Sequence, residues 1–417
     1  MLFATHIYAI FLLSDGIRVR YKIMKKIIDH HARLLAHTRL DKKRYLLGRI
    51  QWEHRLIGLT GPRGVGKTTL LLQRIKEAGL GGAALYVSLD NLYFVNNSLN
   101  DLAHEFYIGG GSHLFLDEVH RYPNWAIEIK NLYDSYPSLN IVFTGSSILE
   151  IYKAQADLSR RSVMYALPGL SFREFLYFEN LAEFPARALE EILAGHVDIA
   201  ADIAARMKII PVFRAYLQHG YYPFYKEGLD AYFDKLSGIV NVILENDLPA
   251  IVNLQNATIY KIKRLLTHVA SMVPFTPNIN ELSGLLETDR KSLLGYLQYL
   301  ERAELLRMLY RAPGRLSSLA KPAKLFTENT NLLFALSHNT DSGTLRETFF
   351  ANQLSHHHTL SIPPVGDFAV DDTWLFEVGG KGKTFRQIKN IENSFVAYDD
   401  MEIGMGNKIP LWLFGFL

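Results

Sequence analysis

The run Gly61-Pro62-Arg63-Gly64-Val65-Gly66-Lys67-Thr68-Thr69 carries the residue types that hold phosphate, at the spacing G-x-x-x-x-G-K-[ST] of a P-loop. Glycines let a backbone curl so that successive N–H groups converge on one anion. Lys67 supplies a cation for the outer phosphate oxygens, and the Thr68 hydroxyl is a hard oxygen ligand suited to Mg²⁺. A second set is His113-Leu-Phe-Leu-Asp117-Glu118, an apolar run that ends in two acids. Downstream of a P-loop this is the Walker B arrangement, in which Asp117 holds the metal shell and Glu118 polarises the attacking water. A third apolar run, from Asn140, ends in Thr144-Gly145-Ser146-Ser147. Ser146 or Thr144 is placed to sense the γ-phosphate, and Gly145-Ser146 equally suits a helix cap. Arg160 and Arg161 follow. An arginine near the γ-phosphate stabilises transition-state charge, in its own subunit or in a neighbour's. The implied ligands are ATP and Mg²⁺.

These groups need a scaffold that gathers them at one edge. Between Leu56 and Tyr165, short apolar runs (Leu56–Thr60, Ala84–Leu89, His113–Asp117, Asn140–Thr144) alternate with helical patterns such as Thr69–Glu77 and Trp125–Tyr136. That alternation predicts an α/β fold, a parallel sheet covered on both faces, with ligands at the carboxyl ends of its strands.

From Pro168 to Leu254 the pattern becomes helical and aromatic. Between Arg173 and Asp247 there are 12 acidic and 7 basic side chains, which reads as the solvated face of a helical lid or spacer. Next, Ile279, Leu282, Leu285 and Leu286 mark one short helix, and Leu293, Leu294, Leu297 and Leu300 mark a second, across a turn at Glu287–Asp289. Two helices so joined form a helix-turn-helix, with Leu305–Arg311 and Lys324–Thr327 as the strands of a wing. Between Arg290 and Lys324 there are 8 basic residues against 2 acidic ones. Such a local excess suits phosphate contacts, so DNA is a candidate partner for residues 279–324; protein docking is the other reading of the module. The last part alternates at period two, and Ile409–Leu417 reads as a closing apolar strand.

The chain has 417 residues, enough for about three domains. With 48% hydrophobic and 21% charged residues it has ample core, and a net charge of only +3 makes no overall case for nucleic acid. The absence of cysteine excludes disulfides, thiolate zinc sites and cysteine nucleophiles, and fits a reducing cytoplasm. Leu2–Leu13 is apolar but too short to span a bilayer, so no membrane partner is expected. It reads as part of an N-terminal extension, with a membrane-surface anchor as the minor alternative and Met24 as an alternative start.

The run from GPRGVGKTT through LFLDEVHRYPNW and FTGSS to LSRRSVMYALPGLSFREFL resembles a group of prokaryotic AAA-type ATPases. The resemblance implies a P-loop NTPase core, a helical lid with a winged helix, and a small C-terminal α/β domain of unknown function related to restriction endonucleases. It places Arg161 at the family's arginine; a homo-oligomer is a candidate partner state, and the sequence does not fix the oligomeric state. Expected boundaries are 1–23 for the extension, 24–167 for the core, 168–255 for the lid, 256–330 for the winged helix and 331–417 for the nuclease-like domain. A nuclease of that kind needs an acid on one strand, then an acid and a spaced lysine on the next. Asp367 and Glu377 take the acid positions and Glu347 resembles the helical glutamate. Gly379 occupies the usual lysine position, and the nearest lysine is Lys381. The resulting expectation is an ATP-binding and hydrolysing AAA-type switch; the alternatives are a nucleotide-controlled DNA-binding regulator and an ATP-gated, Mg²⁺-dependent nuclease.

Overall fold

The computed structural model describes residues 15–145, 158, 160–252, 254–272, 274–311, 321–337, 340–380 and 387–417, with side chains from Met24 onward apart from residues 250 and 251. The predicted sensor Ser146 and the predicted lysine Lys381 lie outside the described residues. The chain divides into two compact units, residues 1–167 and 168–417.

The first unit is built on β1 (Leu56–Thr60), β2 (Ala84–Ser88), β3 (His113–Asp117), β4 (Asn140–Thr144) and β5 (Val163–Ala166). They form one sheet in the order β2-β3-β4-β1-β5, and every adjacent pair is parallel. Its helices are α1 (Asp15–His37), α2 (Lys67–Glu77), α3 (Leu99–Ile108) and α4 (Trp125–Ser135). Leu56, Leu85, Leu114, Leu116, Ile141 and Phe143 are all buried, as strands covered on both faces require. Gly58 belongs to this packing: a Cβ there would run into Met164 and Phe143. Helix α1 runs from Asp15 through Met24 to His37. Because all five strands point the same way, their carboxyl ends share one edge, where the P-loop, Asp117–Glu118 and Thr144 emerge.

The second unit begins with helices α5 (Phe172–Phe178), α6 (Leu189–Ala204), α7 (Ile209–His219), α8 (Tyr232–Val242) and α9 (Leu248–Val252). Helix α5 opens with a capping box: Ser171 and Glu174 satisfy each other's backbone N–H groups. Then come α10 (Asn256–Met272), α11 (Ile279–Leu285), α12 (Arg290–Arg302) and a two-stranded antiparallel ribbon of β6 (Leu306–Leu309) and β7 (Lys324–Thr327). Phe275, between α10 and α11, bridges Leu325 of the ribbon. Ile279, Leu282 and Leu286 are buried as the pattern predicts, but Leu285 is 41% exposed. It sits where α11 ends, so helical periodicity no longer fixes its direction.

After α13 (Thr330–Leu336) and α14 (Ser342–Leu354), a second sheet contains β8 (Leu360–Ser361), β9 (Phe368–Val370), β10 (Trp374–Gly379), β11 (Ser394–Tyr398) and β12 (Lys408–Pro410). Its order is β12-β11-β10-β9-β8, antiparallel from β8 to β10 and parallel from β10 to β12. The closing strand expected over 409–417 stops at Pro410, and Leu411–Phe416 forms a buried 3₁₀ helix. Pro410 lacks the N–H that would carry the ladder on, and Trp412 packs on Phe416 instead. Five consecutive polar residues, Thr327 to Asn331, are buried between these elements. The Asn331 carboxamide oxygen accepts from Tyr221 N (2.8 Å) and Tyr232 OH (2.6 Å), and its amide donates to Leu217 O (2.9 Å). Asn352 of α14 donates to Glu328 O (2.9 Å), and Glu328 pairs with Arg307 of β6. The ribbon and helices α7, α8, α13 and α14 are thereby tied together by buried polar contacts.

Candidate functional site

The P-loop links the end of β1 to the start of α2. Gly61, Gly64 and Gly66 have φ of 143°, 87° and 98°, a region that L side chains adopt only under strain. A Cβ at Gly61 would also strike the Leu167 carbonyl. Gly66 caps α2 and directs the helix N-terminus, with its first-turn N–H groups and positive dipole end, at the loop. Lys67 is buried, and its ammonium donates to Gly61 O (2.7 Å) and Pro62 O (2.8 Å). A phosphate oxygen in the loop would compete with those carbonyls for the same charge. Arg44, also buried, donates to Val65 O (2.7 Å) and braces the loop from behind.

Asp117 closes the other side of the site. The Thr68 hydroxyl donates to Asp117 Oδ2 at 2.5 Å, so the P-loop and the end of β3 meet directly. Tyr86 OH of β2 donates to the same oxygen at 2.8 Å. The Thr144 hydroxyl of β4, fully buried, donates to Asp117 Oδ1. Glu118 stands next, with its backbone in the left-handed region (φ 53°), a conformation that costs a non-glycine residue about 1–3 kcal/mol and tends to mark functional positions. Its N–H points at Asp117 Oδ1 (3.2 Å) and Thr144 Oγ1 (3.3 Å). The His120 imidazole, almost fully buried, lies 3.5 Å from Glu118 Oε2.

The structure therefore brings Lys67, Thr68, Asp117, Glu118 and Thr144 together. Thr68 and Asp117 offer only hard oxygen donors, one hydroxyl and one carboxylate. That is the protein's usual share of a Mg²⁺ shell whose other ligands are phosphate oxygens and water. Sequence reasoning missed Tyr86 and His120. Tyr86 reads as one more apolar residue of a buried strand, and His120 as a turn residue.

Arg161 is not brought to this group. Its guanidinium forms two hydrogen bonds of 3.0 Å with Asp134, in the last turn of α4. Tyr133 and Tyr136 flank Asp134, and their carbonyls accept from Arg55, which precedes β1. Arg161 thus lies at the amino end of the sheet, the edge opposite the P-loop.

The predicted nuclease residues are only partly assembled. Asp367 stands across the β9–β10 ladder from Glu377: its N–H donates to Phe376 O (2.9 Å), and its carboxylate accepts from Val378 N (2.8 Å). Glu347 of α14 is held by Lys324 Nζ at 2.5 Å. Among the described residues, no three acidic, histidine or cysteine side chains are close enough to hold a metal ion. Gly379 ends β10, and a Cβ at the following Gly380 would meet the Arg346 guanidinium, itself paired with Asp399 (2.7 Å). His358, the last of three consecutive histidines from His356, pairs with Asp371 at 2.6 Å. Among the described residues no helix is long and apolar enough to cross a membrane.

Comparison with known proteins agrees with this geometry in the first unit. An uncharacterized protein of Methanocaldococcus jannaschii is 28% identical over 308 residues, 70% of this chain and 61% of that protein. The chain thus spans less than two thirds of that relative's length. Two solved structures, AMPPCP-bound DnaA from Aquifex aeolicus and a DNA replication initiation factor, each cover 70% of the chain. They do so at 14% and 17% identity, with TM-scores of 0.26 and 0.27 and coverage of 89% and 90% of their own chains. Likenesses that remote do not bear on function. Residues 210–343 match a domain of unknown function, and residues 53–176, which contain the whole site around Lys67 and Asp117, match an AAA domain.

Proposed function

We propose that this chain is an AAA-type switch that binds and hydrolyses ATP with Mg²⁺. The observation that carries the proposal is the meeting of Thr68 and Asp117 at 2.5 Å, beside a buried Lys67 and a Glu118 held in a strained conformation. The α2 N-terminus and the loop N–H groups would hold the β-phosphate, and Lys67 would reach the outer oxygens. Thr68 and Asp117 would hold Mg²⁺, which when bound neutralises phosphate charge. Glu118 would orient the attacking water and take its proton, with its backbone fixed by Thr144 and its carboxylate steadied by His120. Arg161 faces away from this site in its own chain, so its transition-state role would be played in a neighbouring copy of a homo-oligomer.

Two variants test the reading. Lys67→Ala is expected to abolish ATP binding or weaken it severely, measured by calorimetry. Glu118→Gln is expected to keep ATP binding and lose most turnover, because an amide cannot accept the proton. Unchanged affinity in the first, or near-wild-type turnover in the second, would remove the corresponding assignment.

A second reading, a nucleotide-controlled DNA-binding regulator, is favoured by α10–α12 and the ribbon. The order helix, single bridge at Phe275, helix, helix, strand, strand supports the winged-helix reading. Lys261 and Arg264 of α10 are committed to the carbonyls of Glu287 and Leu285, which pins the turn. Arg290 and Lys291 are exposed at the start of α12, where a recognition helix meets DNA. The nuclease alternative keeps only the Asp367–Glu377 pairing in its favour.

A further inference from the structure

Asp117 is set by more groups than the P-loop threonine. Tyr86 projects from β2, the edge strand of the first sheet, and is 4% exposed. Its hydroxyl and that of Thr68 both donate to Asp117 Oδ2, at 2.8 and 2.5 Å. Its backbone is also fixed, because its N–H donates to His31 Nδ1 of α1 at 3.1 Å. Burial holds the His31 imidazole below its ordinary range, so the ring stays neutral and keeps a lone pair for that N–H. Ser88, next on the same strand but one, is turned instead to Asp90 (2.6 Å).

We propose that Tyr86 is a positioning residue for the metal-binding carboxylate: its hydroxyl fixes the Asp117 rotamer so that Oδ2 meets Thr68 and the incoming Mg²⁺ in one orientation. The proposal rests on the ATPase reading above. A carboxylate with a hydroxyl on each oxygen has little freedom to turn about its Cβ–Cγ bond. Thr144 on Oδ1 and Tyr86 on Oδ2 grip it from the two neighbouring strands. Thr68 would move its oxygen to the metal when Mg²⁺–ATP binds, and its hydroxyl hydrogen would still face Oδ2. Tyr86 and Thr144 would keep their bonds through the same event and so hold the carboxylate in place.

The test is Tyr86→Phe in the full chain, which keeps the ring and removes one oxygen. Four quantities are compared with wild type: thermal midpoint, ATP affinity in EDTA, the Mg²⁺ concentration for half-maximal turnover, and kcat at saturating Mg²⁺. The expected result is ATP affinity in EDTA unchanged within about twofold and a Mg²⁺ requirement raised about three- to tenfold, the net weight of one typical hydrogen bond. In the Asp117→Asn background, Tyr86→Phe is expected to leave the Mg²⁺ requirement where it was. An unchanged Mg²⁺ requirement in the single variant, with or without a lower thermal midpoint, would reduce Tyr86 to a structural residue. So would an effect that persists in the Asp117→Asn background. A wild type that neither binds nor hydrolyses Mg²⁺–ATP would overturn this proposal and the ATPase reading together; failure of the Mg²⁺ shift alone, with wild-type turnover intact, overturns only this one.

Discussion

Replacing Arg161 by alanine separates two roles whose magnitudes differ widely. As a local ion pair with Asp134, Arg161 is a surface contact: the two side chains are 28% and 46% exposed. Such pairs are worth about 0–1 kcal/mol, so Arg161→Ala should lower stability by less than about 1 kcal/mol. As a catalytic group in its own chain it is out of reach. Val163 pairs with Ile57 in the β1–β5 ladder. Arg161 is two residues before Val163, and Gly61 is four residues after Ile57. Six steps at about 3.3 Å put roughly 20 Å between Arg161 and the P-loop along the strand direction. If it acts at the γ-phosphate of a neighbouring copy, its loss should cut turnover by about 10³-fold or more, the weight of an arginine finger. The assay is steady-state ATP turnover with stability read by urea unfolding. Arg161→Ala and Lys67→Ala are measured alone and as an equimolar mixture. Each alone should be nearly inactive. The mixture should regain activity, because the Lys67→Ala copy still presents Arg161 to an intact P-loop. Turnover of Arg161→Ala within about twofold of wild type would refute the reasoning, as would a mixture no more active than its parts.

Three further outcomes follow from the second unit. Arg290→Glu with Lys291→Glu should weaken any DNA retention, and wild-type retention should fall steeply with salt, as counterion release requires; a wild type without salt-dependent retention reassigns the module to protein docking. Burial, opposed by Met308 N–H and Arg307 and reinforced by Glu328, raises the Glu301 carboxyl to about 7 from 4.5. Its folded pKa is the higher one, so its contribution is full below about 4.5 and is lost as pH rises through 7, by at most about 3 kcal/mol. Glu301→Gln should flatten the urea-unfolding profile over that window, and an unchanged pH slope would reject the assignment. Purified protein should show no robust Mg²⁺-dependent cleavage of double-stranded DNA, since Glu347 is tied to Lys324 and Gly379 stands at the lysine position. Plasmid nicking that disappears in both Asp367→Ala and Lys381→Ala would restore the nuclease reading.

What was legible in the sequence is what local chemistry alone determines. The loop glycines have positive φ because the P-loop turn demands it. Asp117–Glu118 ends an apolar run because a parallel strand must leave the sheet there. What was illegible depends on partners far along the chain. Tyr86 looks like any core aromatic until Asp117 is placed 31 residues later. Thr327 to Asn331, five polar residues in a row after the predicted wing strand, carries no signal of burial in the sequence. Partners distant in the chain, on α7, α8, β6 and α14 and at Tyr221 and Tyr222, supply the carbonyls, donors and charge that make burial affordable.

The same contrast bears on how the second unit would respond to nucleotide. A boundary at residue 330 would let the ribbon and the second sheet move separately. The Arg307–Glu328–Asn352 chain and the Asn331 contacts cross that boundary inside the core. Moving one part against the other would leave a carboxylate and a carboxamide buried without partners, at about 1–3 kcal/mol or more for each group. Rearrangement within this unit is therefore disfavoured against motion of the unit as a whole. Replacing Asn331 with leucine, close in volume but unable to bond Tyr221 N or Leu217 O, should loosen that joint. Amide exchange at Tyr221 and along α13 should then speed up by at least tenfold. Exchange unchanged at both places would mean that the apolar packing, and not the polar network, holds the unit together.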